Sequence, residues 1–268
     1  MATPIKMKSI TDLVVCNKDE RGIASIAINR PNAYNALSLD CMASLIAAFD
    51  DCSADAGVRV IVLSGAGKGF CAGHDLAELK AHPERAFQEK TFSTCSKLML
   101  SIIESPKPVI AKVHGVATAA GCQLVASCDL AVAEERTRFA TPGVNLGLFC
   151  STPMVALSRN VSPKHAMEML LLGDFISAQR AHEMGFINYL ATADELEQRV
   201  DELAAKIASK SSLTLKIGKR AFYRQLEKNL VEAYQDCGQV MVENMMTRDA
   251  QEGISAFIEK RSPVWQDE

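Results

Sequence analysis

Short, unbroken apolar runs alternate with helical patterns up to about residue 190, and from Asp194 onward every segment reads as helix. Val58–Leu63 and Val109–Val113 are such runs, each bounded by turn residues, as expected of strands buried on both faces of a parallel sheet. Leu13–Ile28 reads as two further strands around the polar turn 17–22, and Leu130–Ala133 and Ile187–Leu190 as two more. Between them lie helices. Ser38 precedes Leu39, Met42, Ile46 and Phe49 at helical spacing, and Arg85–Glu104 is stopped by Pro106 and Pro108. Pro163–Leu172 and Ser177–Met184 each end on a glycine, the residue that terminates helices most readily. In the tail, Leu196, Val200, Leu203 and Ile207 mark one apolar stripe. Strands alternating with helices imply an α/β core, here residues 1–190, carrying a helical C-terminal region, 191–268, within one continuous domain. At 268 residues such a chain buries roughly three quarters of its unfolded surface and needs no staples.

Two loops share one design. Ser64–Asp75 follows the strand at 58–63, and His114–Gly121 follows the strand at 109–113. Each is rich in Gly and Ala, and each leads into a helix, near Asp75 and at Cys122 respectively. Small residues let another molecule approach the backbone, and a helix N-terminus offers unpaired N–H groups. Two N–H groups aimed at one point stabilise a developing oxyanion. Tight strand–helix packing alone would also select glycine.

Several chemistries are excluded. Gly67-Lys68 is followed by Gly69 rather than Ser or Thr, so no Walker A loop is present, and Gly65, Gly67 and Gly69 do not make G-x-G-x-x-G. The five histidines form no H-E-x-x-H pair, and no G-x-S-x-G serine elbow exists. The net charge of −3 argues against a nucleic-acid partner, which needs a basic face. No apolar run approaches the length of a membrane span. The nine cysteines are odd in number and lack C-x-x-C spacing, so reduced, buried thiols are expected rather than disulfides or a metal site. The first eight residues hold no apolar signal region. The expected location is cytoplasmic, or the mitochondrial matrix for a processed eukaryotic chain.

Six stretches then carry a resemblance. Arg30–Ser38, Phe70–Leu76, Lys107–Leu130 with His114-Gly115 and Gly121-Cys122, Phe139–Gly147, Gly173–Gly185 and Phe257–Arg261 follow in order along almost the whole chain. Together they resemble the enoyl-CoA hydratase/isomerase (crotonase) family, and Ala117–Gln123 and Gly147–Pro153 resemble one branch of it. The resemblance implies a spiral of β-β-α units with a helical C-terminal region that builds homotrimers or hexamers. It also implies an acyl-CoA thioester as the partner molecule, with no separate cofactor and no metal, since coenzyme A is part of the substrate. By position, the oxyanion hole falls on the backbone N–H groups of His74 and Ala120. The substrate would lie along Ala33, Tyr34, Ala72, Asp75, Leu76 and Gly121, with Cys150 where the acyl pocket closes. Lys260 matches a lysine that meets the CoA phosphates from a neighbouring subunit.

Two positions depart from the family pattern. Hydration in this family uses two glutamates; here Gln123 and Gly143 stand in their places. Glutamine cannot take a proton at neutral pH, and glycine has no side chain. A positioned acid or base is worth about 10²–10⁴ in rate, so hydration is expected to be weak or changed. Decarboxylation, thioester hydrolysis, and acyl-CoA binding without catalysis, alone or as the partner of an active paralogue, are the alternatives. Glutamates restored at 123 and 143 are expected to raise hydration.

Overall fold

The computed structural model describes residues 5–6 and 12–268. In chain order it contains strands β1 (Ile5–Lys6), β2 (Val14–Lys18) and β3 (Ile23–Ile28), a 3-10 turn (Pro31–Ala33), helix α1 (Leu39–Ala54) and strand β4 (Val60–Gly65). Helices α2 (Leu76–Ala81) and α3 (Arg85–Ile103), strands β5 (Val109–Val113) and β6 (Val116–Thr118), helix α4 (Ala120–Ser127), and strands β7 (Leu130–Glu134) and β8 (Arg138–Ala140) follow. A second 3-10 turn (Pro142–Leu146) leads to α5 (Ser151–Leu157), α6 (Pro163–Leu172), β9 (Ile176–Ser177), α7 (Ala178–Glu183) and β10 (Tyr189–Ala191). The tail is helical throughout: α8 (Leu196–Ala208), α9 (Ser212–Gln225), α10 (Leu230–Met245) and α11 (Arg248–Glu259).

Seven strands form one sheet in the order β1-β2-β3-β4-β5-β7-β10, parallel from β3 onward. A second sheet pairs β6, β8 and β9. The chain climbs by repeating one step: β5, β6, α4, then β7, β8, α5. The first strand of each step joins the large sheet and the second joins the small one. A bridge between Cys71 and Ala117 extends the small sheet to the loop after β4. This is the expected crotonase spiral.

The main core lies between the large sheet and α1, α3 and α4, with Phe49, Phe70, Phe139, Leu45 and Leu98 fully buried. Eight of the nine cysteines are buried, as the composition led us to expect. A second apolar layer joins Ile23, Val60, Val62, Ile110 and Val132 of the sheet to Leu196, Val200, Ala204 and Ala208 of α8. The stripe read from the sequence therefore covers the sheet's other face, and the sheet keeps its cover beyond residue 190. Helix α9 is tied in by a partly buried ion pair. Lys219 Nζ donates to Asp129 Oδ2 at 2.7 Å and to the carbonyls of Ile102 and Lys107 at 2.9 and 3.0 Å, while Tyr223 Oη donates to Asp129 Oδ1 at 2.9 Å.

The structure differs from the sequence reading in the small sheet. Strands β6, β8 and β9 span two or three residues each, too short to show a period. Helix α4 begins at Ala120, two residues before the expected start, because nothing in Ala119-Ala120-Gly121 announces a cap. The last strand is β10 at 189–191 rather than 187–190, since Asn188 turns to hold Ala131: its Oδ1 accepts from Ala131 N–H at 2.8 Å.

Candidate active site

Strands β4 and β5 are direct parallel neighbours, so the loops that follow them leave the same edge of the sheet, where open α/β sheets bind ligands. Three segments are knitted together there. Ala72 N–H donates to the Tyr34 carbonyl at 3.0 Å, Leu37 N–H to Gly73 O at 2.7 Å, and Asp75 N–H to Leu37 O at 3.0 Å. Thr118 N–H donates to Cys71 O at 2.9 Å, and Thr118 Oγ1 donates to Ala72 O at 2.9 Å. The expected paired loops are thus in direct contact.

Their glycines make this contact possible. Gly73 has φ +94°, and a Cβ there would fall 2.9 Å from Ala119 Cβ and 3.3 Å from Ala120 N. A Cβ on Gly121 would fall 2.1 Å from the Cys71 carbonyl oxygen. Ala119 itself is held at φ 50°, ψ −115°, a conformation that costs an alanine about 1–3 kcal/mol and gathers at functional sites. It turns the chain sharply from β6 into α4, so that Ala120 becomes the first helical residue with a free N–H. Leu37 bonds the flanking Gly73 and Asp75, so the N–H of His74 faces away from it. No described residue accepts a hydrogen bond from the backbone N–H of His74 or Ala120.

Both residues line a cavity of about 380 Å³. Its walls come from α2 (Leu76, Leu79), α3 (Phe92) and the segment Pro142–Pro153. Of the site residues expected from the sequence, Ala72, His74, Leu76, Ala120, Gly143 and Cys150 line it. Half-exposed Tyr34 is tied to the cavity wall by its bond to Ala72, and Ala33 precedes it in the 3-10 turn outside the wall. The others have different surroundings. Gly121 lies against Cys71. The Asp75 carboxylate caps α2, accepting from Ala77 and Glu78 N–H, and pairs with Arg30 at 2.8 Å, which holds its pKa low. Gln123 is buried, and its Oε1 accepts from the Cys95 thiol at 3.7 Å. Lys260 closes α11 in a left-handed conformation and is not part of the cavity wall.

Glu134 and Glu135 are also outside the cavity, and among the described residues no carboxylate lines it. Its titratable side chains are His74 and Cys150. Burial lowers the His74 pKa to about 4, and its buried Nε2 has no partner among the described residues, with Phe92 edge-on at 5.2 Å. Burial raises the Cys150 thiol, opposed by a hydrogen bond from Gly143 N–H. Both groups are therefore neutral near pH 7. Among the described residues there is no group of three or more His, Cys, Asp or Glu that could hold a metal ion, and no helix long and apolar enough to cross a membrane.

The sequence reading missed Leu79, Phe92, Leu146, Leu148 and Phe149. Leu79 could have been found from Leu76, which lies three residues earlier on one helix face. Phe92 carries no local signal, because α3 reaches the cavity only through tertiary packing.

The enoyl-CoA hydratase/isomerase family model matches residues 18–268. The chain belongs to this family. It is 47% identical over 248 residues to the frog Xenopus laevis protein called enoyl-CoA hydratase domain-containing protein 3, mitochondrial, covering 92% of this chain and 84% of that one. The human protein of the same name is 48% identical over 247 residues, covering 92% and 82%. This is the branch that Ala117–Gln123 and Gly147–Pro153 resemble. The crystal structure of the human protein superposes with a TM-score of 0.92 at 46% identity, covering 94% of this chain and all of that one. A structure described as enoyl-CoA hydratase from Mycobacterium smegmatis gives a TM-score of 0.93 at 50% identity, covering 94% and 98%.

Proposed function

We propose that this family member binds acyl-CoA thioesters and polarises the thioester carbonyl between the N–H groups of His74 and Ala120, but hydrates enoyl-CoA slowly. The observation that carries this reading is the pair of unpaired N–H groups on two contacting loops, in a cavity that no carboxylate lines. Donors of this kind are each worth about 10²–10³ in rate where charge develops on the carbonyl oxygen. Water addition also needs a group that takes a proton. Gln123 cannot do so and is engaged with Cys95; Gly143 has no side chain.

The same absence favours a second reading, an acyl-CoA binder that does not turn its ligand over. Thioester hydrolysis by Cys150 is disfavoured. A thiol raised by burial, in one cavity with an imidazole whose pKa is about 4, does not form the charged pair that activates a nucleophile.

On this reading Ala33, Tyr34 and Leu76 form the surface for coenzyme A, which arrives with the acyl group, so no separate cofactor enters. Lys260 meets CoA phosphates only if a neighbouring subunit brings it to the site. Exposed Leu230, Val231, Met246, Phe257 and Ile258 on the C-terminal helices support assembly into a homotrimer or hexamer. A mitochondrial location is taken from the names of the relatives.

Two measurements test the proposal. Butyryl-CoA should bind at least about tenfold more tightly than S-butyl-CoA, a thioether without the carbonyl, since two hydrogen bonds of ordinary net strength are lost. Equal binding would remove the oxyanion hole. Crotonyl-CoA hydration, followed by loss of the enone absorbance, should fall at least 100-fold below a two-glutamate relative assayed alongside. Turnover at the relative's rate would overturn the claim about Gln123 and Gly143.

A further inference from the structure

Two main-chain donors act together only if their spacing and aim are held to within about 0.5 Å. His74 and Ala120 sit on different loops, and the residue before each has latitude of its own. Gly73 has φ +94°, in a region open to glycine. Ala119 is strained at φ 50° and keeps that turn only where its surroundings impose it. One residue makes two ties between these loops. Thr118 N–H donates to the Cys71 carbonyl, and Thr118 Oγ1 donates to the next carbonyl, that of Ala72, both at 2.9 Å. A single bond would leave a hinge. Two bonds from one residue to successive carbonyls fix the angle as well as the distance.

Resting on the thioester reading above, we propose that Thr118 is a positioning residue, whose hydroxyl fixes the separation of the His74 and Ala120 N–H groups and so sets how strongly the site prefers a thioester carbonyl. The tie is placed evenly between the donors: Ala72 stands two residues before His74, and Thr118 two before Ala120. On its other side Thr118 is anchored to the small sheet, where it pairs with Ala140, and the Ala140 carbonyl accepts from Ala119 N–H at 2.9 Å. The β-branch makes the Thr118 side chain stiff about χ1, so the hydroxyl is held ready for Ala72. Thr118 is buried, is not part of the cavity wall, and engages its hydroxyl proton with Ala72. It therefore acts through the two main-chain donors and not by touching the ligand.

The test titrates the full-length protein and its Thr118→Val, Thr118→Ala and Thr118→Ser variants with butyryl-CoA and with S-butyl-CoA. Difference infrared spectroscopy reads the carbonyl stretch of bound butyryl-CoA alongside. The unaltered protein should prefer the thioester by at least about tenfold. Valine keeps the shape of threonine without the hydroxyl and suits a strand. Thr118→Val should lose at least about threefold of that preference, while its affinity for S-butyl-CoA stays within about twofold. Its carbonyl stretch should move back towards that of free butyryl-CoA. Thr118→Ala also lacks the hydroxyl and should behave alike, which keeps the test decisive if the valine variant does not fold. Thr118→Ser restores the donor and should keep both the preference and the stretch. Full preference in a folded variant without the hydroxyl, an equal loss in Thr118→Ser, or a parallel weakening of both ligands would overturn the inference. Equal binding of the two ligands by the unaltered protein would instead overturn the reading on which it rests.

Discussion

The Cys150 thiol stands 2.9 Å from the position a Cβ on Gly143 would take, and the Leu148 carbonyl oxygen stands 2.7 Å from it. The site has closed around its glycine. Gly143→Ala should therefore destabilise the fold by about 1–3 kcal/mol through overpacking, read as a lower denaturant midpoint. For the same reason, the restoration of glutamates meets an obstacle that the sequence does not show: the crowding at position 143. Gln123→Glu with Gly143→Glu should lose stability and gain no hydratase activity, because position 143 has no room for a side chain. A large gain in crotonyl-CoA hydration by a well-folded double variant would show that the Leu148–Cys150 segment yields.

Gly73 controls how closely the two loops meet. With φ +94° and Ala119 Cβ 2.9 Å from any added Cβ, Gly73→Ala combines backbone strain with overpacking. It should cost about 2 kcal/mol or more. It should also spread the His74 and Ala120 N–H groups, so that the preference for butyryl-CoA over S-butyl-CoA shrinks. Calorimetry on both ligands reads this directly.

His74 gives the fold a pH dependence of known sign. Its pKa is about 4 in the folded chain against about 6.5 unfolded. Between these values the unfolded chain binds more protons, so stability is full above about pH 6.5 and falls as the pH drops towards 4. His74→Gln should flatten that slope by up to one proton in a series of denaturation curves. It should keep carbonyl-dependent binding, because the donor is the main-chain N–H. Loss of that binding in a folded variant would assign the role to the imidazole.

Lys219 fastens the C-terminal helices to the core. Its ammonium has 7% side-chain exposure beside Asp129, and burial lowers its pKa. Lys219→Met removes the cation and leaves a partly buried carboxylate that still accepts from Val109 N–H and Tyr223 Oη, a loss of about 1–3 kcal/mol readable by denaturant unfolding. Adding Asp129→Asn should cost less than the sum of the single changes.

Much of this molecule was legible along the chain. The buried strands β4 and β5, the helix start after Ser38 and the glycine stops after α6 and α7 follow from local rules of pattern and capping. The two glycine-rich loops were also readable, although the helix start at Ala120 was not, and His74 and Ala120 were singled out in them only through the family resemblance. Side-chain surroundings were not readable. Gln123 reads as a substitute facing the substrate, yet packing turns it to Cys95 on α3. Asp75 reads as a ligand contact, yet it caps a helix and pairs with Arg30.

By itself the sequence determined the longer strands of the large sheet and the helices between them, and that Gln123 and Gly143 stand where the family resemblance implies glutamates, since these depend on residues and near neighbours. Only the tertiary structure decided that the loops after β4 and β5 touch, that Phe92 and Leu148 close one cavity, and that Cys150 fills the room beside Gly143. Those contacts join segments distant in the chain, and their distances are set by sheet pairing and packing that no local pattern encodes.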